Sequence, residues 1–324
     1  MRPDLWLNVS PRLSPTIATA AFELIGARPY RLSAKRNGAM SRRALQIDAE
    51  IETPTGKGAG DENFPVASRL IAPALRPHVM CFYAFARAAD DIADNPGLAP
   101  EDKIARLDAM EGGLTGDGPA KSRALGASLA ECGVSDRHAR DLLAAFRMDA
   151  VKNRYADWSE LAAYCELSAN PVGRFLMDLH GEDRRLWLPS DALCTVLQVL
   201  NHLQDVGEDC ARMNRVYLPQ DALADFDVPA EALTNDRSSP GLRRVLDGLL
   251  DRCDALLEVA QTRPVRPRSR RLAAEMGMIT RLAGRLSRRL RLQDPLAGRV
   301  ALSKLDFACS AVGGAWSLLA PGRP

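Results

Sequence analysis

The chain of 324 residues is short of strand formers, of cysteines in useful patterns and of long apolar runs. Strand formers are few beside the many alanines and leucines, and neither a hairpin signal nor a fixed-period repeat is found, so an all-α fold is expected. The seven cysteines, an odd count, are scattered without a CxxC pair. That argues against a disulfide framework or a cysteine zinc site and for reduced thiols. His78, His138, His180 and His202 have no ligand spacing with one another. His202 adjoins Asn201 but points about 100° away from it on an ideal helix, and no role is assigned to it. No glycine-rich dinucleotide fingerprint is visible. No apolar run reaches the length of a membrane span: the best candidate, Phe307 to Ala320, is too short and follows Lys304 and Asp306. Arg2 and Asp4 come early, without the clean apolar core of a signal peptide. A cytoplasmic protein is expected. A net charge of +2 gives no reason to expect nucleic acid. The charge is uneven, since Glu275 and Asp294 are the only acids between Arg263 and Lys304. The part from Arg263 to Arg291 reads as a solvated helix face, with contact to anionic lipid headgroups left open.

What the chain does have is helical pattern and enough apolar content, 46%, for a sizeable core. Residues 1–55, rich in Pro, Gly, Ser and Arg, read as a disordered extension or as a start placed upstream of Met40. Residues 56–324 read as one helical domain. Helices are predicted at about 62–72, 77–94, 101–114, 121–132, 136–153, 158–180, 190–213, 240–262, 269–291 and 296–320. The breaks fall at Pro73, Pro77, Asn95-Pro96, Gly112-Gly113, Gly133, Gly181, Pro189, Pro219, Pro229 and Pro264.

Phe82 to Asp94, FYAFARAADDIAD, is the most informative stretch. Phe82, Phe85, Ala86 and Ala89 make one apolar stripe. Asp90 and Asp94 stand one turn apart on one face, with Asp91 beside them. The helix must end here, because Asn95-Pro96 follows. Three carboxylates therefore crowd the negative end of a helix dipole, an arrangement that calls for water or a cation. Oxygen ligands without sulfur or imidazole suit Mg²⁺. A second acidic helix follows more than a hundred residues later. There Gln198, Asn201, Asp205 and Asp209 fall close to one face, Glu208 adjoins them, and Arg212 and Arg215 come after. Either helix alone reads best as a solvated face; the pair favours two helices facing each other across a bundle with metal between them.

These residues resemble the squalene and phytoene synthases, the head-to-head prenyl synthases. Tyr83-Ala-Phe-Ala-Arg87 with Asp90-Asp91-Ile-Ala-Asp94 is similar to the family's first motif, and Asn201-His-Leu-Gln-Asp205-Val-Gly-Glu-Asp209 to its second. Tyr164-Cys-Glu-Leu-Ser-Ala-Asn-Pro-Val-Gly173 is similar to the segment between them. The resemblance runs from about Gly56 to about Ala320. The wording at Asp61–Ser68, Ser168–Arg174 and Leu203–Asp205 is most like the hydroxysqualene synthase branch of the bacterial hopanoid pathway.

The resemblance implies an isoprenoid-synthase-type helical bundle around a central cavity. It implies Mg²⁺ held by Asp90, Asp91, Asp94, Asn201, Asp205 and Asp209, and a prenyl diphosphate substrate. Tyr83 and Arg87 would touch the diphosphate; an ordinary ion pair of Arg87 with Asp90 or Asp91 is compatible with that role. Tyr164, Ala169, Val172 and Gly173 would line the lipid tunnel, although small residues equally let two helices pack closely. Phe64, Gln198, Asn201, Arg215 and Tyr217 complete the expected substrate contacts. Lys152, Arg154 and Tyr155 are weaker candidates at a helix end. Asn170-Pro171 should interrupt the helix over 158–180. Where many members carry a serine-rich stretch, this chain has Asp61-Glu62-Asn63-Phe64; Asp61 either caps a helix or orients a water. The implied reaction turns presqualene diphosphate and water into hydroxysqualene and diphosphate without nicotinamide. A competing reading on the same fold condenses two farnesyl diphosphates head to head. A reading of another class is a non-catalytic assembly homologue, against which the presence of Asp90, Asp94, Asp205 and Asp209 argues. A terpene cyclase would want Ser or Thr between Asn and Glu in the second motif. Because the family's substrates are lipids, a peripheral membrane contact and pathway-enzyme partners stay open.

Overall fold

The computed structural model describes residues 51, 70–262, 264–303, 305–307 and 309–310. The expectations for residues 1–50 and 52–55, Asp61, Glu62, Phe64 and most of the helix at 62–72 lie outside them. Among the described residues the chain is helical and forms no strand; one isolated bridge pairs Arg154 with Val216. The expectation of an all-α bundle holds.

The first four helices are α1 (Arg76–Ala93), α2 (Pro100–Gly113), α3 (Ala120–Cys132) and α4 (Arg137–Val151). Pro77 and Pro100 stand in the first turns of α1 and α2, where no donor is lost, and Gly133 ends α3 in the left-handed region at φ 69°. Their inner faces share one core around Phe82, Phe85, Ile92, Leu107, Leu125 and Leu142.

The expected helix over 158–180 is two helices, α5 (Trp158–Ser168) and α6 (Asn170–Leu179), broken at Ala169 with φ −124° and ψ −48°. Pro171 in the next turn lacks the N–H that would continue α5, as its position predicts. The expected helix over 190–213 is also two: α7 (Trp187–Gln204) and α8 (Val206–Met213), separated by Asp205 at φ −103° and ψ 11°. Here the single-helix expectation fails. The break turns α8 onto the 3₁₀ turn Ala230–Thr234, where a Cβ at Gly207 would stand 3.3 Å from the Leu233 carbonyl oxygen. Pro189 does not precede α7 but sits in its first turn.

A short α9 (Gln220–Asp225) leads to α10 (Pro240–Ala260) and α11 (Arg270–Leu292), both opened by serine caps, Ser239 and Ser269, that accept from the amides of Leu242 and Leu272. Pro264 and Pro267 lie in the loop between them, as expected. The predicted helix at 296–320 is not formed over 296–303; Val300 and Leu302 there are buried outside any helix, and 311–320 lie outside the described residues. α7 is the axis of the second half, packed against α5, α6, α10 and α11. Val196, Val199, Leu200 and Leu203 on it join Leu242, Leu249, Leu282 and Leu286 in a second core. Each such aliphatic side chain contributes about 1.5–3 kcal/mol on burial. The basic stretch is less solvated than expected: Arg285 and Arg289 pair with Asp306, and Arg291 with Asp251 and Asp254. All seven cysteines are free thiols. No helix of the described residues is long and apolar enough to cross a membrane.

Candidate active site

Between the two cores lies a cavity of about 500 Å³. One end is acidic. Asp90 and Asp94, from the last turn and C-cap of α1, line it together with Asp205, at the α7–α8 junction, and Asp209, one turn into α8. The break at Asp205 thus falls within the second acidic motif. Away from this end the wall is largely apolar, with Ile71, Val79, Phe82, Leu142, Phe175, Met177, Leu193 and Met276. Phe82 and Phe175 stack at 4.1 Å between ring centres.

The crowded end of α1 is neutralised by three cations. Arg215, buried, donates from Nη1 to Asp94 Oδ1 at 2.6 Å and from Nη2 to the carbonyls of Ala93 and Asp149 at 3.0 Å each. Lys103 Nζ donates to the same Ala93 carbonyl at 2.8 Å. Cations on the last carbonyls oppose the dipole that makes this end unfavourable for acids. Arg87 Nη2 reaches Asp91 Oδ1 at 2.6 Å and Asp90 Oδ2 at 2.9 Å, so the expected pairing within α1 is present with both acids. Asp91 is the exception among the expected metal ligands. It is 5% exposed, held by Arg87, and does not line the cavity.

Tyr83, Arg87, Tyr164, Val172, Gly173, Gln198, Asn201, Arg215 and Tyr217 all line the cavity; Ala169 does not, being buried at the α5–α6 break. Asn170 is also buried off the cavity and accepts from Thr195 Oγ1 at 3.1 Å. A Cβ on Gly173 would stand 2.7 Å from Cys194 Sγ and closer still to Ser190 Oγ, so the glycine is required for α6 to approach α7. Lys152, Arg154 and Tyr155 stay off the cavity: Lys152 pairs with Glu160, Arg154 Nη2 donates to Asn214 Oδ1, and Tyr155 is buried in the core.

Asp149 and His202 are among the cavity residues that the sequence did not single out. Asp149, near the end of α4, accepts from Tyr164 Oη at 2.8 Å and from Tyr217 Oη at 3.2 Å. Burial pushes its carboxyl up to about 6, against the opposing pull of Arg215 and Tyr164. His202 stacks on Tyr217 at 3.5 Å between ring centres and is kept neutral, its pKa lowered to about 3 by burial and then by Arg215. One signal for His202 was available: α7 is apolar nearly all round, so a histidine on it has no solvent face to occupy. A lone Asp149 carried no such signal.

The donors at the acidic end suit a hard divalent cation. Asp90, Asp94, Asp205 and Asp209 offer carboxylate oxygens beside the Asn201 and Gln198 side-chain amides. Burial, then the Asp205 and Asp94 carboxylates, pushes Asp209 up to about 7, and a cation would relieve that crowding. Among the described residues no three acidic, histidine or cysteine side chains stand close enough to enclose an ion alone.

The family profile for squalene/phytoene synthase matches residues 58–306. The chain is 45% identical over 264 residues to a hydroxysqualene synthase of Rhodopseudomonas palustris, covering 81% of this chain and 90% of that one. A hydroxysqualene synthase of Zymomonas mobilis is 43% identical, covering 78% and 86%. Among solved structures, a squalene synthase from Alicyclobacillus acidocaldarius superposes with a TM-score of 0.61 at 30% identity, over 70% of this chain and 87% of that one. A dehydrosqualene synthase with bound ligand gives 0.65 at 21% identity, over 79% and 92%, a likeness of fold alone.

Proposed function

The chain belongs to the squalene/phytoene synthase family as a hydroxysqualene synthase-like member, and from that premise we propose that it converts presqualene diphosphate and water to hydroxysqualene and diphosphate with Mg²⁺. The observation that carries the reading is the division of one cavity into an acidic end and a largely apolar remainder. A prenyl diphosphate has the same two halves.

The diphosphate is placed at the acidic end. Arg87 and Arg215, now paired with Asp90, Asp91 and Asp94, offer forked donors to its oxygens, with Tyr83 beside them. Bound Mg²⁺, held by Asp90, Asp94, Asn201, Asp205 and Asp209, would supply Lewis-acid neutralisation of charge on the departing diphosphate. The apolar wall keeps bulk water from the carbocation left behind, so that one admitted water decides the product. No nicotinamide takes part. Asn170 does not hold that water, because it is spent on Thr195 away from the cavity. The same reading would place the enzyme in hopanoid biosynthesis in the cytoplasm, with contact to membrane and pathway enzymes left open.

The second reading, head-to-head condensation of two farnesyl diphosphates, is favoured by the likeness to the squalene synthase at 30% identity, against 45% for the hydroxysqualene synthase. Product analysis decides. Purified enzyme is given presqualene diphosphate and, separately, farnesyl diphosphate, each with Mg²⁺ and with EDTA. Hydroxysqualene from the first substrate, dependent on Mg²⁺ and formed without NADPH, supports the reading. Presqualene diphosphate left untouched while farnesyl diphosphate is consumed overturns it.

A further inference from the structure

Water capture leaves a proton to be placed. Water bonds to the cationic carbon through oxygen and must lose one hydrogen before the alcohol is neutral. Among the described residues lining the cavity outside the acidic end, two are carboxylates, Asp149 and Glu275. Asp149 is connected to the cavity by two phenol hydroxyls. Tyr164 and Tyr217 both line the cavity and both donate to it, at 2.8 Å and 3.2 Å on opposite oxygens. A phenol that donates its own hydrogen to a carboxylate leaves its oxygen lone pairs as acceptors. A water beside either tyrosine therefore finds an acceptor already connected to a base.

The surroundings hold this arrangement in place. Arg215 Nη2 bonds the Asp149 backbone carbonyl, which ties the end of α4 to the acidic end of the cavity through Asp94. Tyr155 packs against both phenols, at 5.3 Å from Tyr164 and 5.6 Å from Tyr217, and His202 covers Tyr217. The titratable and charged groups that face Asp149 are thus Arg215, Asp94, Tyr164, Tyr217, Tyr155, His202 and Lys103. Of these, Asp94 and Arg215 are engaged with each other, and the imidazole is stacked and neutral. Tyr164 makes the shorter of the two bonds to Asp149.

We propose that Asp149 is the terminal proton acceptor for water capture, acting through Tyr164. The water oxygen forms the C–O bond to the cation. One water hydrogen passes to Tyr164 Oη as the hydrogen already on Tyr164 passes to Asp149 Oδ2. The phenol is regenerated, the alcohol is neutral, and the carboxyl carries the proton until diphosphate or solvent removes it at product release. No oxidant or reductant enters. A carboxyl raised to about 6 by burial is a competent acceptor near neutral pH, in keeping with this role. Tyr164 is the group that touches water; Asp149 acts through it as a positioning and proton-holding residue.

This inference rests on the presqualene diphosphate reading, and its test separates the two. Wild type, Asp149→Asn and Tyr164→Phe are given presqualene diphosphate with Mg²⁺, and two quantities are followed: diphosphate release, and the share of hydroxysqualene in the released C30 product. The amide of Asp149→Asn must donate to one of the two phenol oxygens, which reverses that hydrogen bond, while the shape of the side chain is kept. The expected result is continued diphosphate release with the hydroxysqualene share lowered about tenfold or more in both variants, and hydrocarbons from proton loss in its place. Thermal melting at pH 8 should find Asp149→Asn no less stable than wild type, because a carboxylate that burial disfavours has been removed. A packing role alone would lower stability and total turnover together and leave the share unchanged; that outcome in either variant overturns the relay. Tyr164→Phe, which deletes a single oxygen, gives the decision if Asp149→Asn does not fold. If wild type itself forms no hydroxysqualene, the function reading fails first and the relay falls with it.

Discussion

Arg215 Nη1 lies 2.6 Å from Asp94 Oδ1, joining residues 121 apart in the chain. The bond ties the chain beyond the second acidic motif to the end of the first. Arg215 is also the cap of α1, through the Ala93 carbonyl, and a fastening for α4, through that of Asp149. Three acceptors at separate positions need the planar fork of a guanidinium. Arg215→Lys keeps the charge and should still lose about 1–3 kcal/mol of stability in urea unfolding, with kcat/KM falling more steeply than stability alone accounts for. Wild-type stability in that variant would mean that one contact, not three, matters.

Asp209 gives the site a pH dependence with a definite sign. Its folded pKa, pushed up to about 7, lies above the ordinary carboxylate value of about 3.9. Without metal the folded state therefore holds more protons than the unfolded state between these values, and Asp209's contribution to stability is lost as pH rises through about 7. In the proposed reading Mg²⁺ would compete with that proton. It should raise the melting temperature more at pH 8 than at pH 5, and Asp209→Asn should shrink the difference. In EDTA the variant should gain on wild type as pH rises. A Mg²⁺ shift equal at both pH values would remove Asp209 from the metal site.

Much of this was legible beforehand because it was local. The stripe of Phe82, Phe85 and Ala89, the pair Asp90 and Asp94, and the break before Pro171 follow from helix period and proline chemistry within a few residues. The break at Asp205 was not legible. No proline stands there, and the turn answers to the packing of Gly207 on a segment more than twenty residues away. Asp91 lies off the cavity because neighbours on a helix point about 100° apart; a run of adjacent acids reads as one site, but Asp91 turns to Arg87 and the core. Asp149 and Lys103 join the site only through tertiary contacts with Tyr164, Tyr217 and Ala93.

Gly173 tests the claim that small residues here serve close approach. Gly173→Ala pushes a methyl against Ser190 and Cys194 and should destabilise the protein by about 1–3 kcal/mol. Adding Ser190→Ala and Cys194→Ala should return most of the loss, measured as a coupling in a mutant cycle. Additive effects would place the strain elsewhere.

In the proposed reading Arg87 would carry the first motif's contact with diphosphate. Arg87→Lys cannot span Asp90 and Asp91 and still present a fork to a phosphate. KM for the diphosphate substrate should rise and kcat fall, with the helical circular dichroism unchanged. Kinetics equal to wild type would reduce Arg87 to an ion-pair partner within α1.

The central claim is that the apolar cavity delivers its carbocation to one water. A carbocation here has three fates: proton loss, hydride capture or water capture. Incubating the enzyme with presqualene diphosphate and Mg²⁺ in ¹⁸O-labelled water, without NADPH, distinguishes them by mass spectrometry of the product. The account predicts an alcohol carrying the label. An unlabelled alcohol, or a hydrocarbon with no oxygen, would contradict it.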